Sequence, residues 1–409
     1  MAVALDTKLF DVGGVMLERP FKIRRLGHFG FNNVNMEESL RFYTELLGFR
    51  VSDAVDFGRR LPDQSQRASF GDCNGYFMHH GGDHHSFVMF NRRLREALDT
   101  RRTFAPGVDV NQISWQVGSL QEVVGAIPWL AEKGMSIQRS GRDWPGSNWH
   151  TYFYDPDGHT NELFYGMEQI GWLDLSKPEA LRARSFQEKP PLPQISEADE
   201  VEQARQNGVD LYSGTRRPDY GGDYDVEGIL LPRPFRIVRV GPVRLFVKDV
   251  DQSEAFYREI IGLSKTEEVN FEGRRCVFMR SNMEHHSMAL YPIELRSQLG
   301  LKEDSTTMAF GLQVATYRQL RDAVTFLRDR GCTIRELPPE LSPGISHSAL
   351  VLDPDGHALQ LYWHMDQVSW DGSPRPPHLR TACRMADWPE TLQPEADSFG
   401  GEVFLGPLG

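Results

Sequence analysis

Apolar and polar residues alternate along this chain in two rhythms, and the order of the rhythms repeats. Residues 23–31 read as a strand. Residues 37–47 read as a helix, with apolar positions recurring at three- and four-residue steps until Gly48 stops it. Short strands follow near 49–55, 67–71 and 76–90. The rhythm then restarts with strand 110–117, helix 119–133, strand 135–139 and a hairpin over 150–165. The second half runs through strand 237–247, helix 251–261, strands up to 291, strand 308–315, helix 316–330 and a hairpin over 347–363. Each half thus holds two βαβββ units, four in all, which predicts an α+β protein of two tandem modules.

The halves are copies. Asp11–Gly27 matches Asp225–Gly241 at a constant offset (225 − 11 = 214), with 10 of 17 positions identical. Helix Ser39–Gly48 matches Ser253–Gly262, and His84-His85-Ser86 matches His285-His286-Ser287. The turn Asp155-Pro156-Asp157-Gly158-His159 recurs unchanged as Asp353-Pro354-Asp355-Gly356-His357. Around it the copies diverge: Tyr152 and Glu162 become Leu350 and Gln360. A duplicated scaffold that keeps the carboxylate in one copy points to that copy for chemistry.

The expected layout is an N-terminal module over 1–170 and a C-terminal module over 225–370. Between them, 171–224 carries Pro178, Pro190, Pro191, Pro193 and an acidic run, and reads as a linker with one short helix near 197–206. The proline- and glycine-rich tail 371–409 is expected to wrap the surface. Length of 409 residues allows a sizeable core. No apolar run of 18 residues occurs and no secretory leader opens the chain, so the expected location is cytoplasmic, away from membranes. Cys73, Cys276, Cys332 and Cys383 lack paired spacing and read as reduced thiols. A net charge of −12 argues against nucleic acid as a partner.

Tandem βαβββ units, with the Asp-Pro-Asp-Gly turn ahead of a glutamate-bearing strand, resemble the vicinal oxygen chelate superfamily. Within it, the chain is most similar to the two-module extradiol catechol dioxygenases, over about 11–170 and 225–370. The resemblance implies open, cup-shaped mixed sheets holding a divalent metal, usually iron(II). It places the metal ligands at His28, at the position of Gln112 and at Glu162. Gln112 departs from the family, which has histidine there; its distance from Glu162 (162 − 112 = 50) matches the family spacing. Glutamine is a neutral oxygen donor, known at the metal of the superfamily's glyoxalases. His150, His79 and His80 remain alternative nitrogen donors.

The resemblance also implies that Tyr152 hydrogen-bonds the substrate and that His84 or His85 serves as acid–base histidine. The second module retains His285-His286, so a purely structural role for the pair stays open. That module has Pro242, Ala309, Leu350 and Gln360 where the first has His28, Gln112, Tyr152 and Glu162, and reads as vacant. Trp144, Trp149, Phe77 and Phe87 are candidates for an aromatic-lined pocket. Arg19, Lys22, Arg24 and Arg25 read as a solvated strand face, with an anion-holding role as the alternative.

The expected function is iron(II)-dependent extradiol-type ring cleavage, with a small aromatic and dioxygen as partners and a homo-oligomer as the assembly. A glyoxalase-like lyase or isomerase using manganese, zinc or nickel is the second reading. A metal-free binder of an aromatic metabolite is the third.

Overall fold

The structure, a computed structural model, describes residues 8–99, 105, 107–142, 145–171, 173–181, 187–216, 221–381 and 383–392. A hairpin, β1 (Phe10–Val12) and β2 (Val15–Leu17), leads into β3 (Arg25–Asn33) and helix α1 (Met36–Arg41). The helix continues through a wider turn, in which the Leu47 amide donates to the Phe42 carbonyl at 3.0 Å. Then come β4 (Arg50–Asp56), β5 (Asn74–His79), β6 (Phe87–Asn91), α2 (Arg92–Leu98) and β7 (Val110–Gln116). Helix α3 (Leu120–Glu132) is capped by the Ser119 hydroxyl, and β8 (Ile137–Arg142), β9 (Trp149–Tyr154) and β10 (Thr160–Tyr165) close the half.

These strands form one eight-stranded mixed sheet in the order β4-β5-β6-β3-β7-β10-β9-β8. β3 runs parallel to β6 and antiparallel to β7, so the two units join edge to edge through their first strands. β3 is buried along nearly its whole length rather than on alternate residues. Both faces of the sheet are therefore covered, one by the curl of the cup and the other by helices and the second module.

After α4 (Glu197–Gln206) the second half repeats the plan: β11 (Tyr224–Val226), β12 (Ile229–Leu231), β13 (Ile237–Val247), α5 (Val250–Ala255), β14 (Ser264–Phe271), β15 (Arg274–Arg280), β16 (Met288–Pro292), α6 (Leu295–Gln298), β17 (Thr307–Val314), α7 (Tyr317–Asp329), β18 (Ile334–Arg335), β19 (Ser348–Leu352) and β20 (Ala358–Tyr362). Its sheet order, β14-β15-β16-β13-β17-β20-β19-β18, is that of the first. Two open cups of mixed strands with few helices make the α+β architecture expected from the repeat.

The largest apolar cluster draws on both halves, including Phe29, Phe31, Phe153, Phe256 and Phe310. Phe29 stacks on Phe310 with centroids 4.0 Å apart, and Phe31 on His357 at 4.3 Å. The outer faces of the two sheets thus meet in a shared core, which joins the halves. Between them, Glu200 of α4 pairs with Lys177 at 2.9 Å and Arg142 at 3.3 Å, pinning that helix to the first sheet. Beyond β20, Arg380 grips Glu267 through two nitrogens at 2.6 and 2.9 Å, and Trp388 packs on Tyr317. Residues 393–409 of the expected tail lie outside the described residues.

Some elements differ from the sequence reading. The strand expected at 67–71 is a 3₁₀ helix over Gln64–Phe70, because the Asp63 carboxylate caps it through the Ser65 amide at 3.0 Å. The long strand expected at 76–90 is two strands, β5 and β6, separated by the turn that carries His84 and His85. Helix α2 and the β1–β2 and β11–β12 hairpins were not anticipated. All four cysteines are free thiols, and among the described residues no helix is long and apolar enough to cross a membrane.

Candidate functional site

Four adjacent strands of the first sheet put one residue each into a single row. Across β3 and β7, His28 stands opposite Ser114; across β7 and β10, Ser114 stands opposite Glu162; across β10 and β9, Glu162 stands opposite Tyr152. Cross-strand neighbours share a face, so the row lies on the inside of the cup. One step along, Gly30 faces Gln112.

Glu162 is fully buried at the cup floor. The Ser114 hydroxyl donates to its Oε2, and the Asn148 amide donates to Oε1 at 2.9 Å. The Gln112 amide nitrogen stands 3.4 Å from Oε2, and His28 Nε2 stands 2.8 Å from the same oxygen. Yet the His28 ring nitrogens, buried, lack hydrogen-bond geometry to any partner. Burial by itself raises the carboxyl pKa; His28, then His150 and Ser114, overcome this and hold it below the usual glutamate value. Among the described residues, no cluster of three or more histidine, cysteine, aspartate or glutamate side chains is spaced to hold a metal. The third polar group beside Glu162 is an amide.

Above this floor opens a cavity of about 230 Å³. Gln112, Asn148, Tyr152 and His85 reach its wall, with Phe57, Phe77 and Phe90 as apolar lining. Arg139 lies over the Tyr152 ring, 4.2 Å from its centroid. His85 meets His28 edge-on at 4.4 Å, and burial, followed by His28 and His84, pushes its pKa well below the usual histidine value. His84 does not reach the cavity. It stands behind His85, with 3.1 Å between their Nδ1 atoms, and its Nε2 lies 2.8 Å from Asp53. Asp53 is the partner that the sequence reading missed; its equivalent, Glu267, holds His285 at 2.9 Å in the second half.

Of the alternative nitrogen donors, only His150 belongs to this cup: its ring is 4.6 Å from that of Tyr152. His79 and His80 line a separate cleft with Arg50 and Asp174. Among the aromatics, Phe77 lines the cavity, whereas Phe87 is locked in the shared core and Trp149 Nε1 bonds Gln194 at 2.8 Å. Trp144 lies outside the described residues. The basic cluster is half-buried: Arg25 pairs with Asp83 at 2.6 Å, Arg24 stands 4.0 Å from Glu122, and Arg19 donates to the Arg258 carbonyl at 3.3 Å.

The second cup is filled. Where the first has Gly30 beside Val88, the second has Arg244 beside Ala289. Arg244 is fully buried, donating to Ser342 at 2.9 Å and approaching His286 Nε2 at 3.3 Å. Ala309 and Leu350, at the positions of Gln112 and Tyr152, join an apolar cluster with Phe246, Phe278 and Leu341 around it. In the first cup a Cβ on Gly30 would fall 2.2 Å from the Val88 side chain, so that position admits no plug.

Comparison with known proteins agrees with this architecture. The sequence matches the family described as Glyoxalase/Bleomycin resistance protein/Dioxygenase superfamily over residues 25–163 and 239–361. No curated protein matches it. Among solved structures it is similar to the Mn(II)-bound glyoxalase from Novosphingobium aromaticivorans, at 14% identity and a TM-score of 0.52 over 86% of this chain and 85% of that one. It is similar to the 2,3-dioxygenase LapB from Pseudomonas sp. KL28, at 13% identity and 0.53 over 87% and 96%. It also resembles the anaerobic substrate complex of homoprotocatechuate 2,3-dioxygenase from Brevibacterium fuscum, at 14% and 0.51 over 89% and 86%. Identities this low speak for the fold alone. The two family segments, however, cover more than half of the 409 residues and coincide with the two cups, and the chain belongs to the Glyoxalase/Bleomycin resistance protein/Dioxygenase superfamily.

Proposed function

We propose that the first cup is the active centre of a divalent-metal enzyme acting on a small aromatic with adjacent oxygens, and that its reaction is extradiol-type ring cleavage with iron(II) and dioxygen. One observation carries this reading: His28 and Gln112 both stand beside Glu162 in one cup, where Gln112 also reaches the wall of a cavity, while the equivalent positions in the other cup hold Pro242, Ala309 and Gln360.

The donor set fits a metal. Ligand atoms about 2.0–2.3 Å from one ion lie roughly 3 Å from each other. His28 Nε2 and the Gln112 amide both stand within 3.4 Å of a single Glu162 oxygen. His28 Nε2 and Glu162 Oε2 stand 2.8 Å apart, a separation that two ligands of one cation can have. An amide's oxygen and nitrogen exchange by a half turn, so Gln112 can present oxygen at the same place. Ser114 and Asn148 would orient the carboxylate, as outer partners of metal ligands do. Bound there, the metal would supply Lewis-acid activation of paired substrate oxygens and, as iron(II), electrons for dioxygen.

The chain's own groups would do the rest. Phe57, Phe77 and Phe90 would hold an aromatic ring and keep water out, and the Tyr152 hydroxyl would donate to a substrate oxygen. His85 would take the substrate's hydroxyl proton. Its tautomer follows from the repeat: Arg244 can only donate, so His286 Nε2 accepts there. His286 Nδ1 then donates to His285, whose Nε2–H faces Glu267. The same chain from His85 through His84 to Asp53 leaves the His85 Nε2 lone pair ready for a proton.

The Gln112 amide favours a second reading, a glyoxalase-like lyase or isomerase using manganese, zinc or nickel without oxidation. Elemental analysis of anaerobically purified protein, paired with oxygen uptake across a catechol panel, separates the two. Iron with oxygen uptake supports ring cleavage; manganese, zinc or nickel without uptake supports the second reading. Protein that binds no metal overturns both.

A further inference from the structure

Apart from the first cup, the β11–β12 hairpin of the second half closes over the first half and leaves a cavity of about 760 Å³. Its walls include Phe49 and Arg50 of the first half, Asp174 of the linker, and Ile229, Leu231 and Arg233 of the hairpin and the turn after it. The Arg233 guanidinium rests on Gly48, where a Cβ would collide with Nη1. Its Nη2 donates to the Thr44 carbonyl at a long 3.5 Å, and its Nε, buried, meets no acceptor. Among the described residues no carboxylate pairs with it. Burial, followed by the neighbouring Arg50 cation, pushes its pKa down to about 10, so it stays charged at neutral pH. A cation drawn from water without a counter-ion is costly.

The repeat holds the same arrangement with different charges. Arg19, the counterpart of Arg233 (233 − 19 = 214), rests on Gly262 and donates to the Arg258 carbonyl at 3.3 Å. Each arginine therefore caps the end of the other half's first helix. Burial lowers the Arg19 pKa, and Glu18 opposes the shift. Beside Arg233 the place of Glu18 is taken by Pro232, and the added cation Arg50 has Ser264 as its counterpart. Capping a helix requires neither difference. The Arg233 copy thus lacks one anion, has one cation more, and lines a cavity.

The charges around that cavity leave one positive over. Arg50 is matched at 2.8 Å by Asp174, the one lining carboxylate among the described residues, and Arg236 stands 3.7 Å from Glu227. Arg233 is the remainder. We propose that this cavity binds an organic monoanion, a carboxylate or phosphodiester, with its head received by Arg233 and Arg50 and its apolar body against Ile170, Ile229 and Leu231. A guanidinium presents paired N–H donors that suit either oxyanion. Ile229 is 48% exposed, apolar surface that such a ligand would cover.

The site lies outside the first cup, so its test is independent of any reaction there. Binding of octanoate, dibutyl phosphate and 1-octanol to the chelator-treated full chain is measured by calorimetry. At least one anion should bind once per chain, roughly tenfold or more tighter than the alcohol, the worth of one charged hydrogen bond. The tighter anion identifies the head group. The preference should be lost in Arg233→Gln and in Arg50→Ser, and persist in Arg19→Gln, the counterpart in the repeat. Asp174→Asn removes the cavity's carboxylate and suits that residue's left-handed backbone (φ 52°), so it should tighten the anion, a gain that misfolding does not mimic. Equal affinities of anions and alcohol for the unsubstituted chain overturn the inference. An anion preference unchanged in both Arg50→Ser and Asp174→Asn overturns it as well, whether or not Arg233→Gln folds.

Discussion

Tyr43 and Tyr257 hold the same place in the repeat, and each gives its phenolic hydrogen to the other half: Tyr43 to Asp353 and Tyr257 to Asp155, both at 2.9 Å. The neighbouring aspartates repeat the exchange. Asp355 accepts from the Val34 and Asn35 amides at 2.6 and 3.1 Å, and Asp157 accepts from the Ser253 hydroxyl and the Lys248 amide, both at 3.3 Å. The turn that is identical in both copies is therefore a reciprocal clasp. Its sequence is kept twice because each half grips the other with it, including the half with the filled cup.

Cutting the clasp should cost stability in proportion to the partners stranded. Tyr43→Phe loses one hydrogen bond and should cost about 1 kcal/mol. Asp353→Ala removes a partner from Tyr43, Asn33 and His357 together and should cost about 3–5 kcal/mol, in the range of a broken buried ion pair. Denaturant melts of both variants check this; equal, small losses would mean that the clasp carries little.

One bond of the clasp should respond to alkali. His357 lies 2.9 Å from Asp353 and 3.1 Å from Asp109. Burial opposes its charge, but the two carboxylates raise its pKa from 6.5 to about 10. A folded-state value above the unfolded one means full stabilisation below about pH 6.5, lost as pH rises toward about 10. Melting temperature should fall across that window, and His357→Gln should flatten the fall. Parallel curves would refute it.

Metal should bind in the first cup alone. His28→Ala and Glu162→Ala should each abolish stoichiometric metal, while Gln360→Ala should leave it unchanged. Metal retained in both of the first two variants, measured by elemental analysis, would remove the assignment.

Gln112→His should tighten iron(II) binding, since imidazole is the better donor for that ion. Gln112 is 8% exposed at the cavity wall, so the ring has open space to enter. Unchanged affinity in a folded variant would place residue 112 outside the coordination sphere.

Tyr152→Phe should keep metal content and melting temperature but lower turnover of the best catechol by about ten- to a thousandfold, as expected for one lost transition-state donor. Full activity would leave Tyr152 a wall residue only.

Periodicity and the repeat carried the four units, and the family register carried the row from His28 through Glu162 to Tyr152, because strand pairing converts spacing into position. What stayed hidden was phase and distance. Phe77 and Phe87 look alike in sequence, but the turn between β5 and β6 points one into the cavity and the other into the shared core. Asp53 lies 31 residues from His84, and Asp353 lies 310 from Tyr43, so neither partnership leaves a local signal. The 3₁₀ helix at Gln64–Phe70 was mistaken for a strand because its cause is a local cap, not an apolar rhythm.

Arg244 makes the second cup hard to open. Copying the residues of the first cup there takes Pro242→His, Arg244→Gly, Ala309→Gln and Gln360→Glu, and Arg244→Gly taken first would open a void beside Ala289, a residue small enough to admit the plug. Emptying a packed core position costs about 2–5 kcal/mol, a penalty with no catalytic return until the other three changes arrive. The buried arginine thus acts as a structural lock: each single step toward an open second cup is opposed by the packing around it.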